Sequence, residues 1–254
     1  MVELKHVDVG YPSRPILHDI SLNFPVGQVT VLLGPNGSGK SSLLKTALGL
    51  LPKQGGEIYL DGTPLEKLTA GEIARKAAYL SQSRNVPSIT AGRMVLHGRF
   101  PYLSYPRRYR PEDYEMVRHC LEQVHALDLA DRKMEELSGG QRQKIYLAMA
   151  LAQDTESIFM DEPTTYLDVR HQLDVMEIAQ KLARQGRAVV LVLHDLGLAL
   201  RCADRVAVLA DGGLAQAGSP EEVYRSGVLD RIFEIRVRRV QTEDGWQYYC
   251  QAAF

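Results

Sequence analysis

Lys40 and Ser41 end the stretch Gly34-Pro35-Asn36-Gly37-Ser38-Gly39-Lys40-Ser41, which fits the pattern G-x-x-x-x-G-K-[ST]. Glycines there let backbone amides approach oxygens without a Cβ in the way, and the helix that follows adds aligned N–H dipoles, so the stretch reads as a cradle for phosphates. Lys40 would place a point charge on β- and γ-phosphates, and the Ser41 hydroxyl would ligate Mg²⁺. Nucleotide binding is the expected chemistry. Asp161 and Glu162 close the apolar run Ile158-Phe159-Met160. Successive strand residues face opposite ways, so the two acids suit two tasks. Asp161 fits the acid that holds Mg²⁺, and Glu162 the group that orients and deprotonates an attacking water; an acidic strand cap is the plain alternative. Leu137-Ser138-Gly139-Gly140-Gln141 opens an amphipathic helix through Ile145, Ala148, Met149 and Ala152, with Ser138 in N-cap position. It is a second helix end built to meet an anion.

These groups need elements to hold them. Val29 to Leu33 predicts a buried strand before the loop, and Ser41 to Leu51 a helix after it. Ala77 to Leu80 predicts a brief strand running on to Gln82, and Ala188 to Leu193 one ending at His194. In an open parallel sheet, ligands sit outside the carboxyl ends of the strands. Such a sheet would bring Gly34, Gln82, Asp161, Glu162 and His194 to one edge. Residues 2 to 30 read as short antiparallel strands broken by Gly10, Pro12, Pro15, Pro25 and Gly27, with Tyr11 an aromatic on a sheet surface. Gly56 to Gly62 predicts a strand closed by an Asp-Gly turn. Asn85 to about Leu137 reads as helices and loops, with Val117, Cys120, Leu121 and Val124 at helical spacing. The cluster Arg107, Arg108 and Arg110 there is a solvated surface, or else a contact with a partner or lipid headgroups. Val206 to Leu209 reads as a strand, Ser219-Pro220 as a helix start, and the tail as a hairpin turning at Asp244-Gly245.

Composition narrows the class. Thirty Lys and Arg against 31 Asp and Glu leave a net charge of -1 with no long basic run, so no electrostatic case for nucleic acid exists. Apolar runs such as Ala188 to Leu193 are too short to span a bilayer. The first residues lack a basic region followed by an apolar core, so no signal peptide is expected and a cytosolic location is. Cys120, Cys202 and Cys250 are odd in number and widely spaced, which predicts free thiols.

Taken together, these residues resemble, over essentially the full length, the ATP-binding subunit of an ATP-binding cassette transporter. Gly34 to Ser41 matches that family's Walker A, Gln82 its Q-loop, Leu137 to Gln141 its signature sequence, and Ile158 to Glu162 its Walker B strand with the following glutamate. Tyr166-Leu167-Asp168 matches its D-loop, His194 its switch histidine, and Tyr11 falls where it stacks an aromatic on adenine. The resemblance implies an α/β fold, a P-loop NTPase (RecA-like) core with an N-terminal antiparallel β layer and an inserted α-helical subdomain. Residues 1–84 and 153–225 would form the core with its β layer, 85–152 the helical subdomain, and 226–254 a C-terminal hairpin extension. It also implies ATP and Mg²⁺ as ligands, the nucleotide meeting Tyr11, Gly34, Asn36, Gly37, Gly39, Lys40, Ser41 and Ser42, and the metal Ser41, Gln82 and Asp161. ATP would be sandwiched in a head-to-tail dimer between Walker A of one copy and Ser138, Gly139, Gly140 and Gln141 of the other. Glu162 would be the general base, His194 would contact the γ-phosphate, Asp168 would link the two sites, and Gln82 would sense Mg²⁺. Expected partners are a second copy, transmembrane permease subunits and, indirectly, a substrate-binding protein, at the cytoplasmic face of the membrane and without nucleic acid. His97-Gly98-Arg99-Phe100-Pro101-Tyr102 and Thr164 to Gln172 resemble the cassette subunits of bacterial importers for iron-siderophore complexes, haem and cobalamin. A non-transport cassette ATPase acting on DNA or ribosomes is the competing expectation.

Overall fold

Val29, Val31 and Leu33 face one core and Leu32 the other, and all four are buried. The same alternation separates Ile158 and Met160 from Phe159, Val189 and Leu191 from Val190 and Val192, and Val206 and Val208 from Ala207 and Leu209. Strands apolar on both faces need a covering layer on each side. In the computed structural model, which describes residues 1–82, 86–165, 167–243 and 245–252, these strands form the middle of a six-stranded sheet. Its order is β10-β9-β3-β8-β7-β6, from β3 (Val29–Leu33), β6 (Ala77–Leu80), β7 (Ser157–Asp161), β8 (Ala188–Val192), β9 (Arg205–Ala210) and β10 (Gly213–Gly218). All neighbours are parallel except β10, which pairs antiparallel with β9.

One face is covered by α1 (Lys40–Ala47) and a second, antiparallel sheet of order β2-β1-β4-β5, built from β1 (Val2–Tyr11), β2 (Arg14–Phe24), β4 (Gly55–Leu60) and β5 (Thr63–Pro64). The rings of Phe24 and Phe159 meet edge-on at 5.4 Å and join the two sheets. The other face is covered by α5 (Gly139–Ala152), α6 (Val169–Arg184) and α7 (Leu196–Cys202). After β5, α2 (Ala70–Lys76) leads into β6, and between β6 and β7 the chain runs through α3 (Ala91–Leu96), a 3-10 turn over His97–Tyr102, α4 (Pro111–Gln123) and then α5. After β10 come α8 (Pro220–Arg225), α9 (Val228–Phe233) and the hairpin of β11 (Ile235–Thr242) and β12 (Gly245–Ala252). Tyr248 of that hairpin packs edge-on against Tyr224, and Arg239 lies over both Tyr224 and Trp246.

Two expectations are corrected, and one strand is added. The strands among residues 2–30 are long, of 10 and 11 residues, and what breaks their pattern is a series of register shifts, with His6 and Asp19 at φ near +50°. The helix expected to reach Leu51 stops at Ala47. Gly49, at φ +70°, donates to Thr46 O (3.1 Å) and Leu50 to Lys45 O (2.8 Å), a left-handed cap that satisfies the last carbonyls. The glycine after Asp211 also leads into a further strand, β10, whose Gly, Ala and Gln residues carry little strand signal. Asn85, Tyr166 and Asp244 lie outside the described residues.

Asp113 ties the helical segment together. Buried at the start of α4, it accepts from Arg99 Nε (2.9 Å) and from the Arg110 amide (2.9 Å), while Arg99 Nη1 reaches Ala152 O at the end of α5 (2.9 Å). Burial would raise its pKa, but the Arg110 amide and the Arg99 guanidinium outweigh that and hold the carboxyl below its ordinary value. A depressed carboxylate contributes stability that is complete above the unfolded value of about 3.9 and is lost as pH falls through the folded one. Asp113→Asn is expected to cost about 1.5–3 kcal/mol at pH 7, the range for a hydrogen bond to a charged group. Urea melts at pH 7 and at pH 3 check this, and the gap between the two proteins' stabilities should narrow at the lower pH, which lies below the unfolded value.

Cys120 is buried, which pushes its thiol up to about 12, and Cys202 and Cys250 are separate free thiols. Among the described residues no helix is long and apolar enough to cross a membrane.

Candidate functional site

The loop between β3 and α1 is the floor of a cleft of about 500 Å³. Asn36, Gly37, Gly39, Lys40, Ser41 and Ser42 line it from below, Tyr11 from the antiparallel sheet, and Gln82 and Glu162 from the ends of β6 and β7. Gly39 precedes α1 at φ +95°, a backbone region from which side-chain-bearing residues are largely excluded, and the first residues of α1, Lys40, Ser41 and Ser42, with amides that have no partner within the helix, line the cleft. Tyr11 is 46% exposed, free to offer its ring face to a planar base.

Lys40 is buried, and its Nζ donates to Gly34 O (2.7 Å) and Pro35 O (2.9 Å). Burial pushes its pKa down, and the nearby carboxylates of Glu162 and Asp161 push it back up only in part. Among the described residues the ammonium thus has two neutral acceptors and no carboxylate bonded to it. Ser38 Oγ is buried without a hydrogen-bond partner among the described residues. A desolvated cation held only by two backbone carbonyls, at a helix start, is an arrangement that a phosphate group completes.

Asp161 ends β7 and is buried; its Oδ1 accepts from Ser41 Oγ (2.9 Å) and its Oδ2 from Tyr79 OH (3.0 Å). A hydroxyl and a carboxylate at this separation are hard oxygen donors of the kind that hold Mg²⁺ together with phosphate oxygens, so the residues present fit that ion. Glu162 is not a continuation of the strand. It sits at φ +51°, so what separates the two acids is a turn of the backbone, beyond simple strand alternation. Its Oε1 pairs with His194 Nε2 (2.7 Å), and its Oε2 accepts from Gln82 Nε2 (2.5 Å) and Thr165 Oγ1 (3.0 Å). Gln82 and His194, expected to face the metal and the γ-phosphate, therefore converge here on the glutamate itself. A carboxylate fixed at both oxygens by neutral donors and an imidazole is positioned to accept a proton from water at the open side of the cleft. Thr165 falls within the Thr164 to Gln172 resemblance, but nothing in the sequence signals its bond to Glu162, since a Thr three residues after an acid is common on any surface. Arg14, Pro15 and Ile16 also line the cleft and were not anticipated.

The second helix start expected to meet an anion lies elsewhere. Ser138 caps α5, with its hydroxyl accepting from the Gln141 amide (3.3 Å) and Gln141 Oε1 accepting from the Ser138 amide (3.0 Å). A Cβ on Gly139 would meet nothing within 4 Å. Neither Ser138, Gly139, Gly140, Gln141 nor Asp168 is among the residues that line the Lys40 cleft. Asp168 caps α6, its Oδ1 accepting from the His171 amide (2.9 Å) and lying 2.7 Å from His171 Nδ1. Arg107, Arg108 and Arg110 are exposed, Arg107 lying over the Phe100 ring, and no ion pair engages the three among the described residues.

The family profile described as ABC transporter matches residues 17–165. The iron(3+)-hydroxamate import ATP-binding protein of Bacillus subtilis (strain 168) is 39% identical over 91% of the chain and 87% of that protein. The hemin import ATP-binding protein of Rhodococcus jostii (strain RHA1) is 42% identical over 87% of the chain and 75% of its own length. Among solved structures, a dimeric ATP-binding cassette in a post-hydrolysis state with ADP and Pi superposes with a TM-score of 0.76 at 30% identity, over 87% of the chain and 99% of that cassette.

Proposed function

Because the chain belongs to the ABC transporter family and is an ATP-hydrolysing cassette of it, we propose that it powers an importer for a metal chelate, an iron-siderophore complex or haem before cobalamin. It acts as a head-to-tail dimer bound to permease subunits at the cytoplasmic membrane face, with a substrate-binding protein delivering the chelate from outside. The core comprises 1–84 and 153–225, the helical subdomain 85–152 and the hairpin extension 226–254.

The observation that carries the dimer is the separation of the two anion-binding ends: Lys40 and Glu162 line a cleft to which Ser138, Gly139 and Gly140 do not contribute. A second copy would complete each site with its own α5 end, and that arrangement makes a monomer a poor ATPase. Mg²⁺ held by Ser41, Asp161 and the Gln82 carbonyl oxygen would supply charge neutralisation at the β- and γ-phosphates. Lys40 and the amides at the start of α1 hold the phosphates, Tyr11 stacks on the base, and Glu162 takes the proton of the attacking water. His194 and Gln82 orient that carboxylate. The chelate assignment rests on relatives named for iron-hydroxamate and hemin import.

The test is ATP hydrolysis by the complete complex reconstituted with its permease in lipid. Chelate-loaded binding protein is expected to raise turnover severalfold over unloaded protein. Stimulation by a substrate of another class, with none by any iron-siderophore complex, haem or cobalamin, would overturn the chelate assignment.

A further inference from the structure

The segment that follows Glu162 is hydrogen-bonded at its start to the helix whose start is the second expected anion-binding end, and its far end lies beside that helix. Pro163 is buried, and its carbonyl accepts from Gln143 Nε2 of α5 (2.7 Å). At the other end of the segment, the His171 ring lies against Gly140, where an added Cβ would come 3.7–3.8 Å from the imidazole, while the same ring pairs with Asp168. Gln172 braces the middle, donating to Thr164 O (3.4 Å) and Leu167 O (3.2 Å). Thr165 closes the segment back on Glu162 through backbone and side chain. A buried carbonyl needs a partner, so the Gln143 bond fixes where Pro163, and with it the backbone of Glu162, can sit relative to α5.

We infer that Gln143 is a positioning residue that couples the two half-sites within one copy: displacement of the Ser138–Gly140 end is passed through the Gln143–Pro163 bond to the backbone of Glu162. The inference rests on the head-to-tail reading above. In that dimer, the α5 end of one copy senses ATP held by its partner, while Glu162 of the same copy serves the ATP held in its own cleft. Gln143 does not line the Lys40 cleft. It makes the base of one site answer to occupancy of the other, and His171 supports the same link from the Asp168 end.

Gln143→Met keeps the length and removes the donor, and Gln143→Glu keeps the shape but sets a carboxylate against the carbonyl. Each is combined with Glu162→Gln in the full chain, ATP is added, and amide hydrogen exchange is followed in residues 138–143 and 163–168. The Glu162→Gln parent is expected to gain protection in both stretches as the dimer forms. With either Gln143 substitution, protection at 138–143 should remain while exchange at 163–168 rises about fivefold or more, as expected when one opening unit is uncoupled from another. In the chain retaining Glu162, kcat should fall about tenfold with KM for ATP within about twofold, the signature of an interaction that matters after binding. Protection of both stretches as in the parent, or loss of both together, overturns the role of Gln143. Failure of the parent itself to dimerise with ATP overturns the head-to-tail reading and the inference with it.

Discussion

Glu162→Gln is expected to reduce ATP turnover by about 10²- to 10⁴-fold, the usual effect of removing a general base. At 1.36 kcal/mol per decade, that is about 2.7–5.4 kcal/mol of transition-state stabilisation. The substitution is nearly isosteric, but one oxygen becomes an amide nitrogen among three groups that now point at the carboxylate: His194 Nε2, Gln82 Nε2 and Thr165 Oγ1. Lys40, Ser41 and Tyr11 are untouched, so ATP affinity should stay within about twofold, consistent with the loss of an interaction made only in the transition state. Binding without turnover should then trap the ATP-bound dimer, visible as a larger species by gel filtration in the presence of ATP. Turnover close to wild type would remove Glu162 from the role of base. The strained backbone at φ +51° bears on the choice of control, because Glu162→Ala would disturb a turn as well as remove an acid.

The parts of the site legible in the sequence are those whose chemistry constrains residue type along one stretch. A phosphate loop needs glycines, a lysine and a hydroxyl at set spacing, so Gly34 to Ser41 announces itself, and a cap needs Ser138 before Gly139. The sheet edge was legible for a different reason: strands apolar on both faces must be parallel and covered, and that aligns Gln82, Asp161 and His194. What escaped is what depends on backbone partners. Gln143 bonds a proline carbonyl and Gln172 the carbonyls of Thr164 and Leu167, and any residue can supply a carbonyl, so the acceptor side leaves no trace. The convergence on Glu162 is likewise a matter of side-chain direction. His6 and Asp19, at positive φ without being glycine, hid two bulges, so long strands read as short ones. The helix over Val169–Arg184 was not anticipated although its buried Val175, Met176, Ala179, Leu182 and Ala183 recur at helical spacing, a signal present in the chain.

Lys40→Ala should separate binding from catalysis in the opposite sense. Among the described residues the lysine is the one buried cation lining the floor of the cleft, and a charge-assisted contact of this kind contributes about 1.5–3 kcal/mol, so ATP affinity should fall by roughly 10- to 100-fold. The substitution has a second consequence for the nucleotide-free protein. Because burial lowers the folded pKa of Lys40, its charged form opposes folding at neutral pH, and that penalty is relieved only as pH rises through the folded pKa. Removing the ammonium should therefore leave the free protein's Tm unchanged or slightly higher, despite the lost bonds to Gly34 O and Pro35 O. Stabilisation by ATP should shrink instead. At a nucleotide concentration 100-fold above the wild-type Kd, mass action supplies about 2.7 kcal/mol, and a 100-fold weaker variant would retain about 0.4 kcal/mol. Titration with a fluorescent ATP analogue and thermal unfolding with and without ATP measure the two effects independently. An unchanged affinity would show that the backbone amides alone hold the phosphates; a large drop in the free protein's Tm would show that the lysine's two carbonyl bonds stabilise the loop more than its burial costs.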